Sequence, residues 1–286
     1  MNPLDATTTA GSDIDQTADE LPPRFTFPKW TSVAIGLFLL ALAINGLIRM
    51  DISWERMAEG PANIWDFVTG AFPPNLERAP NLAEAMLETL EMALIGTAIG
   101  VVLSVPAAVL AAQNTTPFGP VGVAMRFMLT VLRSIPELVW ALIFVMAVGL
   151  GPLAGIFAIA VDVVGFAGRF FAERIEEVER GPIDALRSTG ATGIAVVASA
   201  VMPASFASFT ATSLYCLEKA IRGATILGMV GAGGIGMELT PAFTLRQFDT
   251  ALTIILMILV VVFLAEQLSS LVRRKMLGSD QLQRAV

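Results

Sequence analysis

Long apolar segments, rather than the three-and-four spacing of a soluble helix, dominate the hydrophobic pattern of this chain. They cover 30–49, 92–112, 119–149, 152–171, 194–221 and 248–272, and an α-helix needs about 20 apolar residues to cross a bilayer. Each segment therefore predicts a membrane-spanning helix, about six if 119–149 crosses once. The breaks between them are polar and rich in turn residues. The most elaborate is Gly181-Pro182-Ile183-Asp184-Ala185-Leu186-Arg187-Ser188-Thr189-Gly190-Ala191-Thr192-Gly193, with a spanning segment on either side. In a chain this apolar, such a break marks where the polypeptide leaves lipid and meets something in water.

Taken in order, residues 1–28 are rich in Thr, Asp and Ala and end in Pro22-Pro23. With Asp5, Asp13, Asp15, Asp19 and Glu20 against Arg24, they read as an acidic disordered tail lacking the apolar surface to fold alone. That acidic start and the length of the following run argue against a secretory signal peptide. Residues 29–50 hold the first span, with Trp30 and Arg49 at its interfaces. The extracytoplasmic segment 51–80, with four prolines and the aromatics Trp54 and Trp65, reads equally as an interfacial helix or a loop. Asn81 is placed to cap the next helix, where Glu84, Glu88 and Glu91 share one face; a solvated first turn favoured by the helix dipole accounts for them. Pro106 is placed to kink this span.

Arg133-Ser134-Ile135-Pro136-Glu137 interrupts 119–149, giving either one kinked helix or two helices with a bend. The span 152–171 runs into a charged helical end, Glu173 to Glu179, which Gly181-Pro182 is expected to stop. Ile183 to Ser188 then suit a short helix, with Pro182 in its first turn, Asp184 favouring its dipole and Gly190 ending it. Ile183, Ala185 and Leu186 are available to dock into a groove; an ordinary surface loop is the alternative. The final span closes with Arg273-Arg274-Lys275, followed by a tail at 276–286. Counting Lys and Arg near the span ends puts Arg24, Lys29, Arg174, Arg180, Arg187 and the closing trio on one side. Arg49, Arg56, Arg78, Arg222 and Arg246 fall on the other. The bias places both termini and the 181–193 break in the cytoplasm.

Composition agrees with the pattern. Of 286 residues, 55% are hydrophobic and 15% charged, with mean hydropathy +0.71, against about 25% charged in a soluble domain. The expected fold is therefore all-α, a polytopic helical membrane protein. There is no histidine, and Cys216 is the only cysteine, which excludes Ser-His-Asp and Cys-His catalysis, histidine–zinc sites and a disulfide framework. No metal site and no catalytic residue is expected. A formal charge of −7 argues against nucleic acid as partner. No G-x-x-x-x-G-K-[ST] occurs, so the chain is not itself a P-loop ATPase.

Two further patterns bear on chemistry. Gly231-Ala232-Gly233-Gly234-Ile235-Gly236 matches G-x-G-x-x-G after a strand-like run, Thr225 to Val230, with Asp249 beyond it. A dinucleotide site needs a βαβ unit in water, whereas membrane spans flank this one. Close backbone packing or a re-entrant turn, acting as a gate, fits Gly231, Gly233, Gly234 and Gly236 better. The second pattern is charge inside apolar segments: Arg133, Glu137, Asp162, Arg169, and Glu218, Lys219 and Arg222 near a span end. A lipid-facing charge costs about 2.5–3.5 kcal/mol, so these residues face protein or water. Arg133 and Glu137 are spaced to pair along one helical face, and Asp162 and Arg169 lie two turns apart on one face. Either such pairs hold helices in register, or, with Pro136, they line a conduit. Snorkelling suffices for Lys219. An ion-coupled transporter using Asp162 and Glu137 as a proton relay is a rival reading, and a nucleotide-dependent oxidoreductase a third.

The motif Asp184-Ala185-Leu186, then Gly190, Ala200 and Met202-Pro203, resembles the cytoplasmic motif of permeases of ATP-driven uptake systems, with Asp for Glu and Leu for the second Ala. Leu132 to Trp140, Glu218 to Thr225 and Gly228 to Leu239 are similar to phosphonate-transporter permeases; methionine-uptake permeases share Arg-Ser-Ile-Pro and a glycine-rich run. The likeness covers about 80–275 and implies a type I ABC importer permease, with a transmembrane domain at 81–275. It implies a pore in the bacterial inner membrane formed by two copies of this chain. It also implies two cytoplasmic ATPase subunits, which bind the ATP and Mg and grip a coupling helix at 181–193 through Ile183, Asp184, Ala185, Leu186 and Gly190. An extracytoplasmic binding protein would deliver the substrate, a phosphonate-type organophosphorus anion or, alternatively, phosphite, phosphate or methionine. This chain would bind no cofactor of its own. Arg133, Arg169 or Arg222 would attract the anion, with neighbouring carboxylates keeping the attraction shallow.

Overall fold

The computed structural model describes residues 30–50, 53–116 and 119–283, with side chains to residue 275. The tail at 1–28 and the side chains at 276–286 lie outside the described residues. The chain divides into two units, 1–63 and 64–286. Every described element is a helix. In the first unit, α1 (Trp30–Arg49) has 20 residues, about 30 Å at 1.5 Å per residue, the thickness of a bilayer's hydrocarbon core. The stretch that left helix and loop open is helix α2 (Trp54–Ala71), which carries Pro61 and runs into the second unit.

The second unit is organised on α3 (Ala79–Ala111) and α6 (Pro152–Glu176), which run parallel and make the most extensive helix pair. Asn81 is not the cap: α3 begins at Ala79 with Arg78 at the N-cap position and Pro80 in the first turn, where its missing N–H costs nothing. The helix passes through Pro106 unbroken. Small residues bring the two helices together. A Cβ on Gly96 would stand 2.8 Å from Ile159 Cβ, and one on Gly100 would stand 2.6 Å from Val163 Cβ. In lipid the hydrophobic effect does not drive helices together, so close van der Waals packing at such seams carries much of the stability.

Apolar segment 119–149 is two helices, α4 (Gly119–Ser134) and α5 (Glu137–Val148), bent by 90°. The break falls at Ile135-Pro136, because the residue before a proline is pushed out of the helical region. Pro136 takes the N-cap position of α5, and Trp140 Nε1 donates to the Leu132 carbonyl at 3.4 Å. Helix α4 runs antiparallel to α6: Cβ atoms on Gly165 and Gly168 would come within 2.8 Å of Arg133 N and Leu129 Cδ2.

Helix α6 stops at Glu176, and α7 (Arg180–Ser188) follows after three residues. The helix break is thus at Glu177–Glu179, and Gly181-Pro182 lies inside the first turn of α7. Helix α8 (Gly193–Val196), a π-helical turn (Val197–Val201) and α9 (Met202–Met229) form one continuous climb of 37 residues. The widened turn sits just before Pro203, which has no N–H to offer the ladder and crowds the carbonyl four residues back. Helix α9 packs antiparallel on α6 through the Phe171–Phe209 stack, 4.1 Å between ring centroids. The run Thr225 to Val230 is not a strand: it is the end of α9 and its cap. A buried turn then leads to α10 (Gly236–Thr244) and to α11 (Phe248–Gln283). Large apolar side chains such as Val102, Phe127, Ile226 and Leu264 remain exposed, the surface expected of helices bathed in lipid.

Candidate coupling helix and translocation path

Helix α7 is short and strongly two-faced. Ile183 is buried and Leu186 packs against the same core, whereas Asp184, Ala185, Arg187 and Ser188 are exposed. The sequence offered Ile183, Ala185 and Leu186 alike for docking. The structure turns Ile183 and Leu186 inward as anchors and leaves Ala185, with Asp184 and Ser188, on the free face. The end of α7 is capped by backbone hydrogen bonds. Gly190 N donates to Arg187 O at 3.0 Å and Ala191 N to Leu186 O at 3.3 Å. This is the Schellman pattern, closed by Gly190 at φ +81°. The helix is also tied to neighbouring elements. Arg187 donates to the Asn114 carbonyl at 3.4 Å, Asn114 Nδ2 donates to Ile175 O at 2.7 Å, and Gln113 N donates to Glu176 Oε1 at 2.8 Å. These bonds tie α7 to the loop that follows α3 and, through it, to the end of α6.

The charges in the apolar helices pair differently from their sequence spacing. Arg133 and Glu137 do not share a helical face, because the 90° bend separates them. The Arg133 guanidinium instead lies 5.9 Å from the centre of the Phe170 ring. The Glu137 carboxylate, in the first turn of α5, abuts Gly223 of α9, where any Cβ would stand 2.7 Å from Oε2. Asp162 and Arg169 do not pair with each other either. Arg169 Nε donates to Glu173 Oε1 at 2.7 Å, and Asp162 accepts from Lys219 Nζ at 2.6 Å. Lys219 is thus an ion-pair partner across α6 and α9 rather than a snorkelling residue, and it also lies 5.4 Å from the Phe166 ring centre. Its pairing with Asp162 argues against a free proton-relay carboxylate. Glu218, nearly buried, is held by Arg222 of its own helix at 2.8 Å and by Arg273 of α11 at 3.5 Å.

Two of these partners were not apparent from sequence. Asp162–Lys219 is separated by 57 residues and Glu218–Arg273 by 55, and no local spacing rule reaches that far. Arg273, which belongs to the basic trio closing the final span and counts toward its orientation, also reaches Glu218 of α9.

The glycine-rich run is a buried, anchored turn. Gly231, Gly233 and Gly234 have φ of +92°, +92° and +76°, a region that costs a side-chain-bearing residue roughly 1–2 kcal/mol. Ile235 N donates to Thr89 Oγ1 at 2.8 Å, and Gly151 N donates to Gly231 O at 2.9 Å. A Cβ on Gly236 would fall on the carbonyl oxygen of Thr225, and one on Gly228 would stand 2.5 Å from that of Gly233. The glycines let α10 fold back on the end of α9. The described residues contain no strand, so the βαβ context of a dinucleotide fingerprint is missing.

Leu129, Thr130, Arg133 and Ser134 of α4 and Arg169 of α6 wall a half-open cavity of about 420 Å³. A larger one, about 580 Å³, lies around Val101, Phe171, Met202 and Phe206 and is lined almost wholly by apolar groups.

Residues 104–278 match the family described as "Binding-protein-dependent transport system inner membrane component". The phosphite transport system permease protein PtxC of Stutzerimonas stutzeri is 37% identical over 243 residues, covering 85% of this chain and 87% of that protein. The phosphate-import permease protein PhnE of Mycolicibacterium smegmatis is 38% identical over 209 residues, 73% of this chain but 39% of that longer protein. Among solved structures, a chain of the MetNI methionine ABC transporter in an inward-facing conformation superposes with a TM-score of 0.63 at 21% identity. The match covers 71% of this chain and 99% of that one, a likeness of fold. The chain thus belongs to the inner-membrane components of binding-protein-dependent transport systems and is the permease subunit of an ABC importer.

Proposed function

We propose that this permease works as a homodimer that carries a small phosphorus oxyanion of the phosphonate or phosphite type into the cell. An extracytoplasmic binding protein delivers the anion, and two cytoplasmic subunits that bind ATP and Mg supply the energy through α7. The observation that carries the reading is the form of α7. Its apolar face is buried in its own core, its end is closed by Gly190, and Asp184, Ala185 and Ser188 face outward for a partner. Because α7 is hydrogen-bonded to the 113–114 loop, and that loop to the end of α6, a push on its outer face would tilt the α3–α6 pair rather than merely bend a loop. Both termini then lie on the cytoplasmic side, and the Gly231–Gly236 turn lies at the opposite end, in place to gate the path.

The substrate class rests on the chemistry of the path and on the relatives' names, phosphite and phosphate. Phosphite and methylphosphonate should enter vesicles carrying the complete transporter with its binding protein, in an ATP-dependent manner that an uncoupler does not abolish. Deleting 183–190 should release the ATPase subunit from the purified complex. Uptake by this chain alone, or uptake of methionine and of neither phosphorus anion, would refute the reading.

A further inference from the structure

Resting on the phosphorus-oxyanion reading above, we propose that Arg133 and Arg169 form an oxyanion-binding subsite within the path, at the cavity walled by α4 and α6. The two residues come from different helices, yet both line one space of about 420 Å³. The packing fixes its depth. Glu176 at the end of α6 pairs with Arg126 of α4 at 3.7 Å, and the Arg133 backbone lies against Gly165. Arg169 and Gly165 lie seven and eleven residues inward of Glu176, about 10 and 16 Å at the rise of a helix. A cation held there facing lipid is costly, so two such cations on one cavity require water or an anion.

Their partners leave them free to bind. Arg133 has no carboxylate partner among the described residues; its guanidinium lies beside the Phe170 ring. The bond from Arg169 to Glu173 uses Nε, and its terminal nitrogens are the ones suited to an oxyanion fork. Two guanidiniums against one carboxylate leave a local excess of one positive charge, enough to attract a phosphorus oxyanion but tempered enough to release it. By contrast, Arg222 is bound to Glu218 of its own helix, and Lys219 is bound to Asp162, bracing α9 against α6. The Ser134 hydroxyl donates to the Thr130 carbonyl at 2.7 Å, and turning it outward would add a third donor.

The test uses the complete transporter in nanodiscs, with Cys216→Ala as background and Ser134→Cys as a reporter at the cavity wall. Thr130→Cys is a second reporter should the first disturb folding. Phosphite should slow alkylation of the reporter thiol in the arginine-containing protein and leave it unchanged after Arg133→Gln or Arg169→Gln. In vesicles, either substitution should lower phosphite uptake about tenfold, the equivalent of one charge-assisted hydrogen bond, while binding-protein-stimulated ATP hydrolysis persists. Arg133→Lys should restore part of the uptake. Uptake by both Gln variants at the wild-type rate, with wild-type transport intact, overturns the subsite alone; a wild-type complex that moves no phosphorus anion overturns the substrate reading on which it rests. If phosphatidylglycerol in the nanodisc protects the thiol and phosphite does not, the arginines hold a lipid phosphate and the assignment is wrong.

Discussion

Gly190 and Gly234 have nearly the same backbone conformation, φ +81° and +76°, but opposite surroundings, and the pair separates backbone strain from packing. A Cβ on Gly190 meets nothing within 4 Å. Gly190→Ala should therefore lose only the left-handed penalty, about 1–2 kcal/mol. At Gly234 the same Cβ falls onto Thr89 Oγ1, the atom that accepts from Ile235 N at 2.8 Å. That hydroxyl cannot simply turn away, since it also donates to Ala85 O at 2.9 Å. Gly234→Ala therefore adds overpacking of about 1–3 kcal/mol and a buried N–H left without its acceptor, about 1–3 kcal/mol more. The summed loss is about 3–8 kcal/mol, enough to remove most of a typical domain's margin. Midpoints of denaturant-induced unfolding of the purified permease measure both losses. Equal shifts for the two variants would refute the claim that the turn is packed against α3. A smaller shift at Gly234 would do so still more firmly.

Other substitutions probe the remaining elements. Gly100→Leu should force α3 away from Val163 and reduce the yield of folded permease, measured by size-exclusion chromatography, whereas the same change at exposed Gly119, where a Cβ meets nothing within 4 Å, should be tolerated. Ala185→Arg, on the free face of α7, should leave the unfolding midpoint unchanged but abolish co-purification of the ATPase subunit; a retained complex would show that α7 docks by another face. Ile183→Asp should instead destabilise the permease itself, by burying an unpaired charge where the wild type buries an anchor, and a wild-type unfolding midpoint would contradict the inward orientation.

The sequence made the helices legible because membrane spans announce themselves by length and apolarity, and α1 and α11 carry long apolar stretches free of charge. It also placed Gly190 at the end of the short helix, since a left-handed glycine after a polar helical turn is a local signal. What it missed was not local. The charged end of α6 is expected to run to Glu179 and stop at Gly181-Pro182, whereas the helix ends at Glu176. Pro182 does fall in the first turn of the short helix, as its position predicts. The pairing of Arg133 with Glu137 assumed a continuous helix through Ile135-Pro136, where the bend removes the shared face. Thr225 to Val230 has β-branched and apolar residues suggestive of a strand, but it is the end of α9, with Gly236 of α10 packed against Thr225 and Gly228. The free face of α7 was half visible: which residues were apolar could be read, but not which of them the core would claim.

The partners also decide which intramembrane charges belong to transport. Lys219 and Asp162 join α6 to α9 with side-chain exposures of 37% and 13%, so removing one leaves the other a poorly solvated charge. Lys219→Met alone should destabilise the permease by up to the roughly 3–5 kcal/mol of a broken buried pair, reduced by the partial exposure of the lysine. Combining it with Asp162→Asn should recover much of that loss, because the residual charge is gone. If the pair only braces the two helices, the double variant regains transport along with stability. If Asp162 were a proton carrier, stability would return and transport would not. Arg133 has no such compensating partner among the described residues: no second substitution among them should rescue its loss, since what it is proposed to bind is not part of the chain. That contrast separates a brace from a binding group, and the double-variant cycle with uptake and unfolding measured on the same proteins reads it directly.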